Sequence, residues 1–417
     1  MPNRTANADH EPEPGTTNVN PERRTTNEEP TPRMTQRLRS IDVVRGAVMV
    51  LMAIDHVRGN SGVPAGGPTA GVFFTRWVTH FCAPAFVFFA GTSAFLYGLS
   101  VGGTPQRAGS AVLARYLVTR GLLLVALELT VIRASWTFGV DYSQFILAGV
   151  IWMLGWCMVL LAALVWLPTW LVGAIGLVII VGQDLFGVVG GALPGALRWV
   201  WEFVYPVGVE VTLGRGGPSV AVLYSIVPWI GVMAAGYAFG AIMVRDPATR
   251  DRLCLRIGLS ATLMFLVAAG LTVLMSDAPA NAPPALFRML NQRKYPASVL
   301  FLLMTLGPAI AILPFAERAR GRVAEALRTF GRVPMFYYLL HIPLIHALSL
   351  VVWIVRDGRA GQERFASAPF VQMPGGERWS LPLLYLVFAI ALPILYAACR
   401  WFAEIKARRQ WGWLRYV

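Results

Sequence analysis

The stretch RLRSIDVVRGAVMVLMAIDHVR, residues 37–58, decides what class of protein this chain is. Its middle, GAVMVLMAI, is apolar enough to lie in lipid, yet the stretch carries five ionisable side chains besides its leading arginines: Asp42, Arg45, Asp55, His56 and Arg58. About 20 apolar residues in a helix are enough to cross a hydrocarbon core of about 30 Å. The stretch therefore predicts a membrane-spanning helix that keeps charged groups at both of its ends.

Apolar runs of similar length recur along the chain. Of its 417 residues, 56% are hydrophobic and only 14% are charged, whereas soluble domains carry about 25% charged residues. We expect an all-α, polytopic integral protein of the cell membrane, surrounded by lipid, with about ten transmembrane helices. The expected spans are 41–58, 72–99, 111–133, 144–166, 169–190, 219–244, 254–275, 297–316, 333–355 and 380–402. The more polar stretch 193–215 is expected to lie at the interface.

The basic residues predict the orientation of the chain. They cluster around positions 33–39, 107–120, 245–256, 318–332 and 400–415, which all fall on one side if there are ten spans. Because cytoplasmic connectors are enriched in Lys and Arg, both termini are expected in the cytoplasm. The same distribution explains the net charge of +14 without a nucleic-acid partner. Residues 1–35 have almost nothing to bury and predict a disordered cytoplasmic tail.

The first helix places polar groups at two depths on one face. From Arg45 to His56 is three turns plus about 20°, so the two residues lie about 16 Å apart along one stripe with Met49 and Met52. Asp42 is three residues before Arg45 and can pair with it near the interface, or the two can simply anchor the helix. Charges at membrane depth usually mark a functional path. A His beside an acid, Asp55, suits proton abstraction near neutral pH.

The run SIDVVRGAVMVLMAIDH (40–56) resembles the first helix of the membrane acyltransferase superfamily, whose signature combines an Arg-Gly start with a later His. More narrowly, several blocks resemble the catalytic domain of heparan-α-glucosaminide N-acetyltransferase and its bacterial relatives. These blocks are RLRSIDVVRG (37–46), FFTRWVTHFCAPAFVFFAGTSAFL (73–96), NQRKYPASVLFLLMTLGP (291–308), FGRVPMFYYLLHIPLIHAL (330–348) and CRWFAEIKARR (399–409). The resemblance implies that residues 36–417 form one transmembrane acyltransferase-like domain.

The resemblance implies transfer of an acetyl group from cytoplasmic acetyl-CoA to an amine or hydroxyl of a sugar or glycolipid of the cell envelope, presented from the outer side. The pantetheine arm of the donor would reach through the helix bundle. Carried over by position, His56 would be the base or would orient the substrate, with Asp55 in support. Asp42 and Arg45 would contact the donor. A homodimer is also within the family's range, and no metal is expected.

The chain departs from the lysosomal member of the family at the first helix. That enzyme has an Asn where His56 stands here, and a second functional His 11 residues later. Position 67 in this chain is Gly. The departure favours the Arg–His pattern of the membrane acyltransferase superfamily, which includes bacterial O-acetylases of cell-envelope sugars, over a two-group mechanism.

A second group of candidates lies near the cytoplasmic start of the span at 333–355. Arg332 opens this span, Tyr337 and His341 are one turn apart, and Pro343 disturbs the helix just after them. Arg332, Tyr337 and His341 could meet the nucleotide or pantetheine end of acetyl-CoA. Packing alone is the alternative for these residues, and His346 is expected to be structural.

The remaining candidates would bind the acceptor or line a channel. Arg76 and His80 share one helical face, and Pro84 is expected to kink that helix. The connector NQRKYP (291–296) is placed on the outer side, where its cations could attract an acceptor or snorkel to the interface. The residues assigned to this role are Arg58, Arg76, His80, Asn291 and Lys294.

A different function class competes with acyl transfer. A proton-coupled transporter or flippase could use Asp55, His56 and His80 as a proton relay, because broken helices and ionisable groups within the membrane are also typical of transporters. The sequence shows no internal repeat, which counts against that alternative. It also contains no Walker, HExxH or GxSxG motif, so ATP-driven transport, metallohydrolysis and serine-hydrolase chemistry are poorly supported.

Overall fold

The computed structural model describes residues 38–66, 69–101, 110–143, 145–205, 209–212, 217–279, 281–371 and 373–409. The predicted cytoplasmic tail, residues 1–35, lies outside these residues. So does position 67.

Within the described ranges the chain forms seventeen α-helices and three short β-strands. The helices are α1 Arg39–Ser61, α2 Ala70–Trp77, α3 Cys82–Ser100, α4 Ser110–Leu127, α5 Arg133–Thr137, α6 Val150–Leu164, α7 Thr169–Gly182, α8 Asp184–Ala192, α9 Gly195–Val204, α10 Trp229–Met243, α11 Pro247–Met275, α12 Ala285–Leu290, α13 Val299–Ala311, α14 Leu313–Arg318, α15 Arg322–Arg332, α16 Pro334–Asp357 and α17 Leu381–Arg408. The strands are β1 Phe145–Ala148, β2 Val209–Thr212 and β3 Ser219–Val222.

Local sequence signals explain where several helices begin and end. The side chains of Thr69, Asp246, Ser298 and Ser380 each accept a hydrogen bond from the first turn of the helix that follows, as N-cap residues do. Helix α1 ends at Gly62, whose φ of 70° is the left-handed conformation that glycine adopts most easily.

Five helical segments are long and apolar enough to cross a membrane. They are Ala70–Ser100, Pro247–Met275, Val299–Arg318, Pro334–Asp357 and Leu381–Arg408, and they become six if α7 and α8, bent by 71°, form one span. Helix α1 is absent from this set because every 18-residue window in it contains at least three charged residues. The prediction of ten spans is not confirmed, although the chain is a mostly helical membrane protein.

The all-α prediction misses a three-stranded sheet in the order β1-β3-β2, with β1 parallel and β2 antiparallel to β3. Spans were expected at 144–166 and 219–244, but each begins with a strand and continues into a helix of only 15 residues, α6 or α10. Short apolar runs of Val, Ile and Leu cannot be assigned by periodicity alone, which is why the sequence missed the strands. The predicted interfacial stretch 193–215 contains α9 and β2.

Glycines bring several helix pairs into very close contact. In each pair an added Cβ atom would lie within 2.8 Å of the neighbouring helix, and at most of these positions the nearest atom is a backbone oxygen. Small residues allow such close approach of helix backbones in membrane proteins. The pairs are α1 with α15 through Gly46 and Gly331, α3 with α10 through Gly91 and Gly236, α4 with α6 through Gly121 and Gly155, and α11 with α13 through Gly258 and Gly307.

Helix α1 is enclosed by α3, α14, α15, α16 and α17. At its first turn Arg39 donates to Glu325 of α15 at 2.5 Å, and this hydrogen bond lowers the pKa of Glu325. Near its middle the Met49 carbonyl accepts a hydrogen bond from the Tyr337 hydroxyl of α16 at 2.8 Å. These contacts fix the position of α1 against α15 and α16. They therefore also fix the position of the side chains at the C-terminal end of α1.

Candidate active site

Two imidazole rings meet at the far end of α1. His56 Nδ1 lies 2.5 Å from His341 Nε2 of α16, and the two ring planes are 24° apart with centroids separated by 4.6 Å. The rings of Trp136 and His56 are nearly perpendicular, with their centroids 5.0 Å apart. The structure therefore joins two histidines that are 285 positions apart in the sequence.

The surroundings of His341 assign the tautomer of both rings. His341 Nδ1 lies 2.8 Å from the Tyr338 carbonyl and 3.1 Å from the Tyr337 carbonyl. Because carbonyl oxygens only accept, His341 Nδ1 carries a proton, and in the neutral ring Nε2 then accepts. His56 Nδ1 must donate to it. His56 Nε2 is consequently left with a lone pair, which is the form a general base requires.

His56 lines a cavity of about 260 Å³. Its wall combines the end of α1 with the turn from β1 into α6, the loop after β3, and residues of α2 and α16. Polar or aromatic side chains on the wall include Glu128, Trp136, Tyr224, Tyr295 and Tyr338. His341 is fully buried behind His56 and does not line the cavity. His341 therefore contacts His56 without lining this cavity itself.

Asp55 is paired with cations rather than with His56. Its Oδ1 lies 3.1 Å from Arg58 Nη2 and 3.9 Å from Arg76 Nη1, and all three residues line the cavity. The ring of His56 thus takes its orientation from His341. Sequence reasoning expected Asp55 in that supporting role, and it placed His341 with the donor.

The other residues predicted to bind the acceptor do not line the cavity, and they differ in how deeply they are buried. Lys294 is only 7% exposed and lies over the rings of Tyr224 and Tyr295, at 5.6 and 5.2 Å. His80 is buried, and its Nδ1 lies 3.1 Å from the Arg76 carbonyl, in a 3₁₀ segment that separates α2 from α3 ahead of Pro84. The helix changes to 3₁₀ geometry at this point, but Ala70–Ser100 continues as one helical segment, and the kink expected at Pro84 stays a prediction. Asn291 is exposed and does not line the cavity.

The donor-side candidates lie toward the other end of α1 and away from the cavity. Arg45 donates to the Phe89 carbonyl at 3.1 Å and to Ser93 Oγ at 2.7 Å, both in α3. Asp42 is buried, Arg332 is half-buried at the end of α15, and Tyr337 is fully buried. Their proposed contact with the donor stays a prediction.

The stripe between the two ends is filled by protein. Met49 is 0% exposed and Met52 is 5% exposed, and both belong to the hydrophobic core. Over the described residues between Arg45 and His56, this face of α1 is therefore packed against protein at Met49 and Met52.

A model of the catalytic domain of heparan-alpha-glucosaminide N-acetyltransferase matches residues 37–274, more than half of the chain. The chain belongs to this family. The family resemblance of the first helix is thereby confirmed, and the chain is a membrane protein of an acetyltransferase family. No curated protein matches the sequence.

The match to the acetyltransferase family includes most of the cavity but not all of the predicted site. His56, Arg76 and Glu128 lie inside the matched residues, whereas Asn291, Lys294, Arg332, Tyr337 and His341 lie beyond residue 274. The roles of those five residues rest on the sequence and on the resemblance of shorter blocks, and they stay predictions. Among the described residues no group of three or more His, Cys, Asp or Glu side chains could hold a metal ion.

Sequence reasoning missed Glu128. It is 1% exposed, stands in the apolar run LLLVALELTVI (122–132), and lines the cavity together with His56. A lone acidic residue within such an apolar run could have identified Glu128 from the sequence, because ionisable residues in membrane segments are rare and usually mark a functional site.

Proposed function

We propose that this protein transfers an acetyl group from acetyl-CoA to an amine or hydroxyl of an envelope sugar or glycolipid, with His56 as the general base. The observation that carries the proposal is the imidazole pair, in which His341 holds His56 with its Nε2 lone pair free at the cavity wall. The family supports acetyl transfer, and its donor is acetyl-CoA.

The step requires one proton to move from the acceptor to the leaving thiol. As the acceptor nitrogen or oxygen attacks the thioester carbonyl, His56 Nε2 takes its proton. The new C–N or C–O bond forms and the C–S bond breaks. The imidazolium then gives the proton to the departing sulfur, so the products are the acetylated acceptor and coenzyme A.

The charges around the cavity support this chemistry. Arg58 and Arg76 share the single carboxylate of Asp55. The resulting excess of positive charge beside the cavity would stabilise the negative oxygen that develops in the tetrahedral intermediate. A nearby imidazole pair and two guanidinium groups thus supply a base and an electrostatic stabiliser in one place.

The proposed arrangement has the donor arriving from the cytoplasm and the acceptor from the outer side. The Arg-rich end of α1, with Asp42 and Arg45, would face the donor, while Arg332 would lie near its nucleotide. Asn291 and Lys294 would lie near the acceptor. Because the Arg45–His56 stripe is packed, the pantetheine arm would have to reach His56 by another route or after a movement of α1 against its neighbours.

A single conservative substitution tests the proposal. His56→Asn keeps a donor for His341 Nε2 but removes the basic nitrogen. With purified protein, radiolabelled acetyl-CoA and glucosamine as the probe acceptor, we expect the rate of acetyl transfer to fall by about 10²–10⁴-fold. His346→Asn is the matched control: it makes the same His-to-Asn change on a ring whose Nδ1 donates to the Ser135 carbonyl at 3.2 Å, and His346 lies outside the cavity wall.

Two results would contradict the proposal. One is acetyl transfer by the His56→Asn variant at the wild-type rate. The other is a wild-type protein that forms no acetylated product with any amino sugar or sugar alcohol but moves a solute along a pH gradient in proteoliposomes. The second result would favour the transporter.

A further inference from the structure

Glu128 is a buried acidic residue of the cavity wall that takes no part in the proton transfers of His56. It is 1% exposed and opens a π-helical turn, Glu128–Ile132. Its Oε2 accepts hydrogen bonds from the N–H groups of Ile151 and Trp152, at 3.0 and 3.4 Å. Turns of π-helix are frequent at functional sites. The backbone at the start of α6 therefore holds one oxygen of this side chain in place.

The other oxygen of Glu128, Oε1, is the one left for the cavity. It accepts no hydrogen bond from any residue that the structure describes, because both backbone donors bind Oε2. Gly149 lies beside it, and a Cβ atom at that position would collide with Oε1. The missing side chain at position 149 thus leaves room for Oε1 in the cavity that His56 also lines.

The surroundings of Glu128 favour the neutral carboxylic acid. Among the described residues no Arg, Lys or His forms an ion pair with it, and the arginines of the cavity, Arg58 and Arg76, pair with Asp55 instead. Burying a carboxylate without a counter-ion is so unfavourable that the group takes up a proton. Because Oε2 accepts the two backbone hydrogen bonds, Oε1 is the oxygen that carries the proton. Glu128 therefore presents an O–H donor to the cavity.

We propose that Glu128 is a catalytic hydrogen-bond donor, whose Oε1–H binds the carbonyl oxygen of the thioester and stabilises the negative charge that this oxygen acquires in the tetrahedral intermediate. This inference rests on the proposed function, since it adds an oxyanion donor to that reaction. The hydrogen bond transfers no proton, so the proton of the acceptor still passes through His56 to the departing sulfur. A carboxylic acid that its site keeps neutral serves as such a donor in other enzymes.

Charge decides which ligand this donor serves best. A hydrogen bond to an ionised acceptor is about twice as strong as one to a neutral acceptor. Glu128 would therefore hold the oxyanion more tightly than the thioester from which it forms, and only such a difference lowers the barrier. Because α6 already holds the side chain in place, the donor needs no reorganisation when the charge develops. The positive charge of Arg58 and Arg76 beside the cavity favours the same anion.

Two substitutions of similar length test the donor by kinetics. Glu128→Gln keeps it, because the amide oxygen can accept from the backbone of α6 while the amide N–H group donates into the cavity. Glu128→Met removes it. With radiolabelled acetyl-CoA and glucosamine as the probe acceptor, we expect kcat per folded molecule to fall about 10²–10³-fold in Glu128→Met, with little change in the KM for acetyl-CoA. Glu128→Gln should stay within about 10-fold of the wild-type kcat.

Infrared difference spectroscopy tests the neutral acid without turnover. The spectrum of the wild type minus that of Glu128→Gln, at neutral pH, should contain the C=O stretching band of a protonated carboxylic acid. Addition of acetyl-CoA should shift this band, because the O–H group then binds the thioester oxygen. Asp251→Asn is the control: Asp251 is buried but forms ion pairs with Arg250 and Arg318, so its substitution should remove no such band.

Three results would overturn the inference. One is an acid band that is absent from the wild type or that acetyl-CoA leaves unchanged. Another is a folded Glu128→Gln variant as inactive as Glu128→Met, because the reaction would then need the carboxyl group itself. The third is a wild-type kcat per folded molecule in Glu128→Met, which would leave Glu128 as a cap of α6. If Glu128→Met fails to fold, the first two results still decide.

The infrared readout separates this inference from the proposed function. A wild type that transfers no acetyl group, but whose acid band at Glu128 is shifted by acetyl-CoA, would support the hydrogen bond to the thioester and refute the transferase.

Discussion

The imidazole pair can act as a base only while each ring keeps one tautomer. Tyr338 fixes the proton of His341 through its backbone carbonyl, and His341 in turn fixes that of His56. The chain of donors ends at His56 Nε2, where the lone pair meets the cavity. The ordering is analogous to a serine hydrolase, in which a third group holds the catalytic imidazole in its productive tautomer.

The substitution His341→Asn tests this ordering. Asn can still donate to the Tyr338 carbonyl, but it offers no ring nitrogen to accept the proton of His56 Nδ1. The tautomer of His56 is then no longer fixed, so we expect kcat for acetyl transfer to fall at least about 10-fold while the KM for acetyl-CoA changes little. Steady-state kinetics with varied acetyl-CoA measure both values.

The control for this variant is again His346→Asn on the same helix, which should keep the wild-type kcat. A purely structural role of His341 would instead lower the amount of folded protein and leave kcat per folded molecule unchanged. That pattern would remove His341 from the mechanism.

At the scale of single residues, the sequence alone identifies His56 as a site residue but does not predict that His341 is its partner. Charges retained on an otherwise apolar helix identify Asp55, His56 and Arg58 without a structure. The pairing with His341 depends on how α16 packs against α1, and a separation of 285 positions leaves no local pattern to reveal it. The position of His341 in a span opened by Arg332 from the cytoplasmic side led the sequence analysis to place it with the donor instead.

At the scale of elements, helices were easier to predict than strands. Long apolar runs such as Pro247–Met275 and Leu381–Arg408 are helices in the structure. The runs that contain β1 and β3 are equally apolar, and their strands form only because two segments 74 positions apart align, with Phe145 opposite Ser219. This sheet then places Gly149 and the start of α6 at the cavity.

The crossing of α1 and α15 leads to a prediction about stability. A Cβ atom on Gly46 would lie within contact distance of backbone atoms of Leu327, with the carbonyl oxygen nearest. Backbone atoms cannot turn aside as a flexible side chain would, so the two helices must move apart. We expect Gly46→Ala to lower the free energy of unfolding by about 2 kcal/mol or more, measured as a lower midpoint of thermal unfolding in detergent.

Gly270→Ala is the matched control, because a Cβ atom there would have nothing within 4 Å. It should leave the midpoint unchanged or raise it slightly, since Ala favours a helix by up to about 1 kcal/mol over Gly. Equal stability of the two variants would show that the close crossing of α1 with α15 contributes nothing to the fold.

At the scale of the whole molecule, the two ends of α1 differ in what surrounds them. Around its start lie Arg39, Glu325 and the arginine-rich helix α15, and around its end lies the cavity with His56 and Glu128. The core residues between them separate these regions. If the arginine-rich end of α1 faces the cytoplasm, the donor and the acceptor would bind on opposite sides of these core residues. The proposed transfer between substrates on opposite sides of a membrane requires this arrangement.

Labelling of single cysteines tests that orientation directly. The four native cysteines are buried, so they give little background with a membrane-impermeant maleimide. Asn291 and Arg320 are both exposed, near opposite ends of the helices α13 and α14. In intact cells we expect Asn291→Cys to react from outside, and Arg320→Cys to react only after permeabilisation, because the arginine-rich connectors stay in the cytoplasm. The reverse pattern would place the His56 cavity on the cytoplasmic side, and acetyl-CoA would then reach His56 without crossing the bundle.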